Sequence, residues 1–198
     1  MSGDDGRSRC GWVAGAPDFY RDYHDREWGR PVRERNALFE RISLEAFQSG
    51  LSWLTILAKR QSFRAAFADF DIETVARYTD ADVARLLGDA GIVRNRAKIE
   101  ATISNARVAA DLSVELADLI WSFAPPSAPR PLTSADVPAT STESIALARR
   151  LKALGFRFVG PTTMYALMQA IGMVDDHVQT CWVPPASVLT GSFHTLGP

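Results

Sequence analysis

The chain has 198 residues, of which 46% are hydrophobic and 23% are charged, and its formal net charge is −1. This length is enough for one well-buried domain or for two small lobes that share a core. The composition is that of an ordinary globular protein and excludes a low-complexity one, and no apolar run is long enough to cross a bilayer. The nearly neutral charge does not by itself point to a nucleic-acid partner.

Helical periodicity dominates the sequence and no segment alternates like a half-buried strand, which predicts an all-α fold. The predicted helices cover residues 36–49, 52–67, 80–87, 94–111, 114–123, 141–154, 161–173 and 176–182. A proline-rich connector at residues 125–140 interrupts this pattern and ends in a capping-box sequence that starts the next helix.

The ends of the chain are expected to lie outside the folded part. We expect a disordered segment at residues 1–9, a single domain of two helical lobes at residues 10–183, and a flexible tail at residues 184–198. The segment MSGDDGRSR lacks the apolar stretch of a signal peptide, so a cytoplasmic location is expected.

Glu45 is a carboxylate at a position where the helical pattern favours a hydrophobic residue. The apolar stripe of the first predicted helix consists of Leu38, Phe39, Ile42, Ala46 and Phe47. Glu45 falls inside this stripe, and burying an unpaired carboxylate costs several kcal/mol, so it should have a dedicated partner or await a ligand. The alternative is that Glu45 reaches solvent or pairs with Arg41.

Aromatic residues stand close to Glu45 in the sequence. Tyr20, Tyr23 and Trp28 precede its helix, and Trp53 follows it. A carboxylate among aromatic faces is typical of a site for a flat, hydrogen-bonding, electron-poor ligand.

The predicted helix at residues 161–173 has almost no polar face and should lie inside the core. A tight turn, Phe158-Val159-Gly160, precedes it. Gly160, Thr162 and Thr163 can therefore present free backbone amides to an anion. The alternative is an ordinary hairpin between two core helices.

Two cysteines and two of the three histidines form two pairs in the sequence. Cys10 precedes His24 by 14 positions, and His177 precedes Cys181 by four, a spacing that places both side chains on one face of a helix. Together they make a Cys2His2 set, which is complete for a structural zinc ion that would tie the two ends of the chain together. A disulfide and four isolated core residues are the alternatives, although a cytoplasmic location disfavours the disulfide.

Four blocks of sequence carry a resemblance to a known family. In chain order they are RCGWV with YRDYHDREWGRP, SLEAFQSGLSW, DAGIVRNRAKI, and FRFVGPTTMYALMQAIGMVDDHV followed by a cysteine. They resemble the DNA-3-methyladenine glycosylase I family from Cys10 to about Trp182. The resemblance implies a helix-hairpin-helix glycosylase fold, with two helical lobes around a cleft and a hairpin, ending at Gly160 to Thr163, that holds the DNA backbone. Phe158 stands where many such hairpins have glycine.

The same resemblance implies roles for individual residues. The zinc ligands of the family correspond to Cys10, His24, His177 and Cys181. Its base-contacting carboxylate corresponds to Glu45, and its pocket aromatics to Tyr20, Tyr23, Trp28 and Trp53, with Trp12 nearby.

Asp175 has two interpretations. The wider superfamily has a catalytic aspartate in a V-D-x-H-V context, and this chain has Val174-Asp175-Asp176-His177-Val178. Asp175 is then either a catalytic carboxylate or a residue that supports the neighbouring zinc ligand, and the second interpretation is favoured because members of this family are usually described as working without that aspartate.

The function implied by the resemblance is excision of 3-methyladenine from alkylated double-stranded DNA, with a structural Zn²⁺ and free 3-methyladenine as product. The chain would flip the damaged base out of the duplex and leave an abasic site, acting as a monomer with no membrane partner. The alternatives are a non-catalytic zinc-stabilised module that binds damaged DNA, and a glycosylase with a broader alkylpurine range.

Overall fold

The structure, a computed structural model, describes residues 5–185. The predictions for residues 1–4 and 186–198, which belong to the expected disordered segment and tail, lie outside the described residues. Throughout the described part the regular elements are helices without a β-strand, as the periodicity predicts. They are α1 (Asp18–Arg26), α2 (Arg35–Gln48), α3 (Trp53–Ala58), α4 (Arg60–Ala66), α5 (Ile72–Ala76), α6 (Asp80–Gly88), α7 (Arg96–Ala110), α8 (Leu116–Trp121), α9 (Thr142–Ala153) and α10 (Pro161–Ala170).

The structure differs from the predicted helices at four places. The helix predicted at 52–67 is divided at Lys59 into α3 and α4, and α1 and α5 have no predicted counterpart. The predicted helix at 176–182 is wrong, because this segment consists of bends and turns. α1 is short and mostly polar, so it shows little of the apolar repeat on which the prediction depends.

The chain divides into two compact units, each assembled from separate stretches of sequence. The first unit comprises Met1–Pro31, Pro125–Pro138 and Met168–Pro198, and the second comprises Val32–Ala124 and Ala139–Leu167. Residues 125–138 of the proline-rich connector therefore belong to the first unit, together with the described residues 5–31 and 168–185. The boundary falls within α10, after Leu167.

The second unit is built around a group of phenylalanine rings. Phe47 on α2 lies 4.7 Å from Phe63 on α4, measured between ring centroids, and Phe67 lies 5.5 Å from Phe70. All four side chains are fully buried. Aromatic burial of this extent is a large part of the hydrophobic stabilisation of a small domain.

α2 is buried more completely than an amphipathic helix. Every residue from Leu38 to Phe47 is buried, including the polar residues Glu40, Arg41 and Ser43. Glu40 is stabilised by Arg64 of α4, whose Nε donates to both carboxylate oxygens at 3.1 Å. The solvent-facing side expected for this helix is therefore covered by other elements of the protein.

Asn105 of α7 holds the turn between α9 and α10. The buried Asn105 accepts a hydrogen bond from the backbone nitrogen of Arg157 at 2.7 Å, and its Nδ2 donates to the carbonyl of Arg157 at 3.0 Å. The next residue, Phe158, has φ of 57° and is partly exposed. A left-handed backbone is unfavourable for a phenylalanine, so the surrounding contacts impose this turn.

The described residues before Cys10 pack against α1. Arg9 is buried, with its guanidinium bonded to Asp5 at 2.7 Å and to Asp25 at 2.8 Å. These contacts involve Asp5 and Arg9, which belong to the segment at residues 1–9 for which we expect disorder.

None of the helices between residues 5 and 185 combines the length and the hydropathy needed to cross a membrane.

Candidate functional site

Glu45 lies in the last two turns of α2, in the second unit, and is 5% exposed. Burial raises the pKa of Glu45 to about 8, and the positive charge of Arg41 one turn earlier opposes this only in part. Near pH 7 the carboxyl group is therefore mostly protonated in the free protein. The alternative in which Glu45 reaches solvent is wrong. A buried acid with a raised pKa is a common sign of a functional site.

Trp53 lies just after the short corner that connects α2, the helix of Glu45, to α3. It is the first residue of α3, and Ser52 caps that helix by accepting a hydrogen bond from Thr55 N at 3.2 Å. The Trp53 side chain is half-buried. Glu45 thus lies near the end of α2, and Trp53 lies at the beginning of α3, the next helix of the second unit.

The other predicted aromatic residues belong to the first unit. Trp12 lies between Tyr20 and Trp28, with ring centroids 5.1 and 5.2 Å away and edge-to-face geometry in both pairs. Tyr23 is buried on α1 beside them in sequence. Burial also raises the pKa of Tyr20. The structure therefore brings Trp12, Tyr20 and Trp28 into one aromatic group.

Cys10, His24 and Cys181 converge in the same unit. One potential ligand atom from each lies within 4.8 Å of the others, and all three residues are buried. The Nε2 atom of His24 is 3.6 Å from the sulfur of Cys181. Both cysteines are free thiols, so the disulfide alternative does not describe this structure.

The two thiols interact with each other. A hydrogen bond between Cys10 and Cys181 raises the pKa of Cys10 and lowers the pKa of Cys181 to about 4, and His24 adds to the effect on Cys181. Cys181 is thereby favoured as the thiolate, the form of cysteine that binds metals.

His177 lies against this cluster, although it is outside the group within 4.8 Å. Its ring centroid is 5.0 Å from that of His24 and 4.6 Å from that of Trp28. Its Nε2 atom is buried and has no hydrogen-bond partner among residues 5–185. Gly29 makes room for the ring, since a Cβ atom there would be 2.9 Å from His177 Cε1. A buried ring nitrogen without a partner fits a position for a metal ligand.

His24 and His177 are each oriented by an aspartate, which is in turn held by an arginine. His24 Nδ1 lies 2.7 Å from Asp25, which Arg9 binds. His177 Nδ1 lies 3.0 Å from Asp175, whose other oxygen accepts from Arg130 Nε at 2.8 Å. Burial alone would raise the pKa of Asp175, but the hydrogen bonds from His177 and Arg130 outweigh it and the pKa is lowered.

Asp25 and Arg130 are functional candidates that the sequence pattern does not indicate. Asp25 is adjacent to a candidate ligand, and that adjacency was the available signal. Arg130 lies 45 positions before Asp175 inside the proline-rich connector, and no local pattern links the two.

Gly160, Thr162 and Thr163 lie at the start of α10 in the second unit, as expected. The Gly160 carbonyl accepts the first helical hydrogen bond, from Met164 N at 2.8 Å, and Thr162 is exposed. The structure therefore presents Thr162, in the first turn of α10, to solvent.

Comparison with known proteins places this geometry in context. A model of the methyladenine glycosylase family matches residues 12–184. DNA-3-methyladenine glycosylase 1 of Escherichia coli K12 is 45% identical over 184 residues, which are 90% of this chain and 98% of that protein.

Solved structures of enzymes with the same name also superpose on this chain. A crystal structure of 3-methyladenine DNA glycosylase I superposes with a TM-score of 0.87 at 43% identity, covering 90% of this chain and all of that one. A variant of such an enzyme in complex with 3-methyladenine superposes with a TM-score of 0.84 at 32% identity, covering 89% and 97%. With nearly its whole length matched in sequence and in fold, the chain belongs to the methyladenine glycosylase family.

Proposed function

We propose that this protein is a DNA repair glycosylase that excises 3-methyladenine from alkylated DNA and leaves an abasic site. The observation that carries the proposal is the buried acid Glu45, which lies in a chain whose relatives are named for this reaction and include a structure with 3-methyladenine bound.

Excision of 3-methyladenine requires selective recognition of the damaged base more than chemical activation of its bond to the sugar. Methylation at N3 gives adenine a positive charge, which weakens its bond to deoxyribose. Water adds its hydroxyl to C1′ of the sugar, the C1′–N9 bond breaks, and the electron pair of that bond neutralises the departing base while a proton passes to solvent. The protein has to extrude the damaged nucleotide and select it from a large excess of normal ones.

Glu45 provides the selection for charge. We infer that its carboxyl group accepts a hydrogen bond from the exocyclic amine of the base and ionises when the cationic purine binds beside it. A neutral adenine offers no charge to compensate for an ionised, buried carboxylate, so the normal base binds more weakly.

Aromatic faces add to this selection. Trp53, together with Tyr20, Tyr23, Trp28 and Trp12, is proposed to contact the base. An electron-rich ring attracts a cationic one, and the interaction is worth up to about 2 kcal/mol when water is excluded. A neutral purine keeps only the stacking part of this energy.

A structural zinc ion is proposed to be held by Cys10, His24, Cys181 and His177. The support is the convergence of three of these side chains and the partnerless buried Nε2 of the fourth. A zinc ion bound there would crosslink the first and last described segments of the chain and would have no catalytic function. Asp25 and Asp175 accept from the Nδ1 atoms, which leaves each Nε2 free to coordinate. Asp175 is accordingly proposed as a positioning residue rather than a catalytic one.

The turn between α9 and α10 is proposed to bind the DNA backbone, as the hairpin of a helix-hairpin-helix fold. The exposed first turn of α10, with Gly160, Thr162 and Thr163, offers backbone amides to a phosphate. The positive end of the helix dipole lies at the same place.

Chromatography of the bases released from methylated duplex DNA tests the proposal directly. The wild-type protein should release 3-methyladenine, and Glu45→Gln should release it far more slowly. Glu100 belongs to the same unit and its side chain is 44% exposed, so Glu100→Gln serves as the control and should behave like wild type. Absence of base release by the folded wild type would instead favour a binding module, and release of 3-methylguanine as well would indicate a broader range.

A further inference from the structure

Lys98 is a buried lysine whose ammonium group is bonded to the main chain. It lies on the first turn of α7 and is 7% exposed. Its Nζ donates to the carbonyl of Phe47 at 2.8 Å and to that of Ser49 at 2.6 Å. Burial lowers the pKa of Lys98. Lysine is rarely buried, since hydrogen bonds must replace the water lost by the ammonium group.

The two carbonyls belong to the end of α2. The last carbonyls of a helix have no intrahelical donor and need another partner. Gln48 O accepts from Leu51 N at 2.6 Å, and Lys98 satisfies the carbonyls on either side of it. A cation at this end of a helix also interacts favourably with the helix dipole.

The backbone of Lys98 is itself fixed. Asn95 caps α7 by accepting from Lys98 N at 3.2 Å, and Thr102 Oγ1 donates to the Lys98 carbonyl at 3.0 Å. The ammonium group therefore links the corner between α2 and α3, residues 47–52, to α7, a rigid helix of the same unit.

This corner connects Glu45 to Trp53. After Ser49 the chain turns at Gly50, which has φ of +81°, and α3 begins at Trp53. A change of direction in residues 47–52 would move Trp53 with respect to Glu45, because each stands on its own helix. We propose that Lys98 is a positioning residue for base recognition, which holds the Glu45-to-Trp53 corner in the geometry that accepts 3-methyladenine. The inference rests on the proposed function of these two residues.

Lys59 provides a matched control. Its Nζ also donates to two backbone carbonyls of the second unit, those of Ala90 at 3.0 Å and Gly91 at 3.1 Å. Lys59→Met and Lys98→Met remove the same kind of interaction, and methionine preserves an unbranched side chain. Of the hydrogen bonds that these two lysines make with the described residues, only those of Lys98 reach the Glu45-to-Trp53 corner.

The experiment is calorimetric titration of the full-length protein with 3-methyladenine, well below the unfolding transition. Lys98→Met should raise the Kd for the base by about tenfold or more, because small displacements of binding groups have large effects. Lys59→Met should stay within about twofold of wild type. The affinity for undamaged duplex DNA should be unchanged in both, which separates loss of positioning from general unfolding.

A spectroscopic signal gives the second readout. With 5-fluorotryptophan incorporated, the resonance of Trp53 is assigned by its disappearance in Trp53→Phe. It should shift or broaden in Lys98→Met and remain in place in Lys59→Met. A loss of stability without a change of position would leave it in place in both variants.

The outcomes are distinguishable. Wild-type base affinity and an unshifted Trp53 resonance in Lys98→Met would overturn the inference. Normal base binding by both Glu45→Gln and Trp53→Ala would instead overturn the proposed function. If Lys98→Met fails to fold, Gly50→Ala strains the same corner with no atom within 4 Å of the added Cβ. That variant should weaken base binding, and wild-type affinity would refute the positioning role.

Discussion

Replacing Glu45 by glutamine should change how the stability of the protein depends on pH. The pKa of Glu45 is about 8 in the folded chain and 4.5 for an ordinary glutamate. Between these values the folded state retains a proton that the unfolded state has lost, so the unfolding free energy falls as pH rises through this window. The full separation corresponds to about 5 kcal/mol, and about 4 kcal/mol of it falls between pH 5 and pH 9.

The assay is urea denaturation of the wild type and of Glu45→Gln across that range. Glutamine has nearly the same shape and does not ionise, so the variant lacks this contribution. The unfolding free energy of the variant relative to wild type should therefore increase by about 4 kcal/mol from pH 5 to pH 9. Taking the difference cancels every other titrating group that the substitution leaves unchanged.

Glu40→Gln is the control on the same helix. Glu40 is equally buried but is paired with Arg64 at 2.9 Å. Removing its charge leaves Arg64 without its partner and should lower stability. It should leave the pH dependence that comes from Glu45 in place. Parallel pH curves for wild type and Glu45→Gln would refute the conclusion that Glu45 is buried and protonated at neutral pH.

The same ionisation should be visible in catalysis. The pH dependence of kcat/KM reports groups of the free enzyme. If the carboxylate form of Glu45 recognises the cationic base, kcat/KM for 3-methyladenine excision should rise with pH and level off above about 8. Glu45→Gln should give a lower and flat profile. A wild-type profile that falls across this range would contradict the proposed role of the carboxylate.

Three further predictions concern the metal and the DNA. Purified protein should contain about one zinc per chain, and Cys181→Ser should lose it and unfold at a lower temperature; a folded wild type without zinc would exclude the site. Asp175→Asn should weaken zinc binding about 10- to 100-fold in chelator competition, while the zinc-loaded variant keeps its single-turnover excision rate; a large fall in that rate would favour catalysis by Asp175. Asn105→Leu should weaken binding to duplex DNA by about tenfold, since the Arg157 peptide loses both partners, without changing the affinity for free 3-methyladenine; an equal loss of both affinities would point to general damage.

Much of the helical framework was predictable because its signals are local. The apolar repeat and the cap sequences predict α2, α7, α9 and α10 to within a few residues. They also make Glu45 conspicuous, since a carboxylate interrupts an apolar stripe. Counting cysteines and histidines identifies the candidate ligands without reference to their positions in space.

The local sequence pattern did not predict how those candidate ligands are arranged in space. His177 and Cys181 were expected on one face of a helix, but the segment that carries them is irregular. Cys181 nevertheless reaches Cys10 and His24, because the last described segment folds back on the first, as the hydrogen bond from Trp182 N to Ser8 O at 2.8 Å illustrates.

The sequence by itself determined the helical class, the family, and the residue types available for chemistry. Only the tertiary structure decided that Glu45 is buried and protonated, that Arg130 supports Asp175, and that Lys98 closes the end of α2. Periodicity and capping depend on neighbours within one or two turns of a helix. Burial and pKa depend on packing, and the partners of the Arg130 and Lys98 side chains lie 45 or more positions away in the sequence, where only packing brings them together.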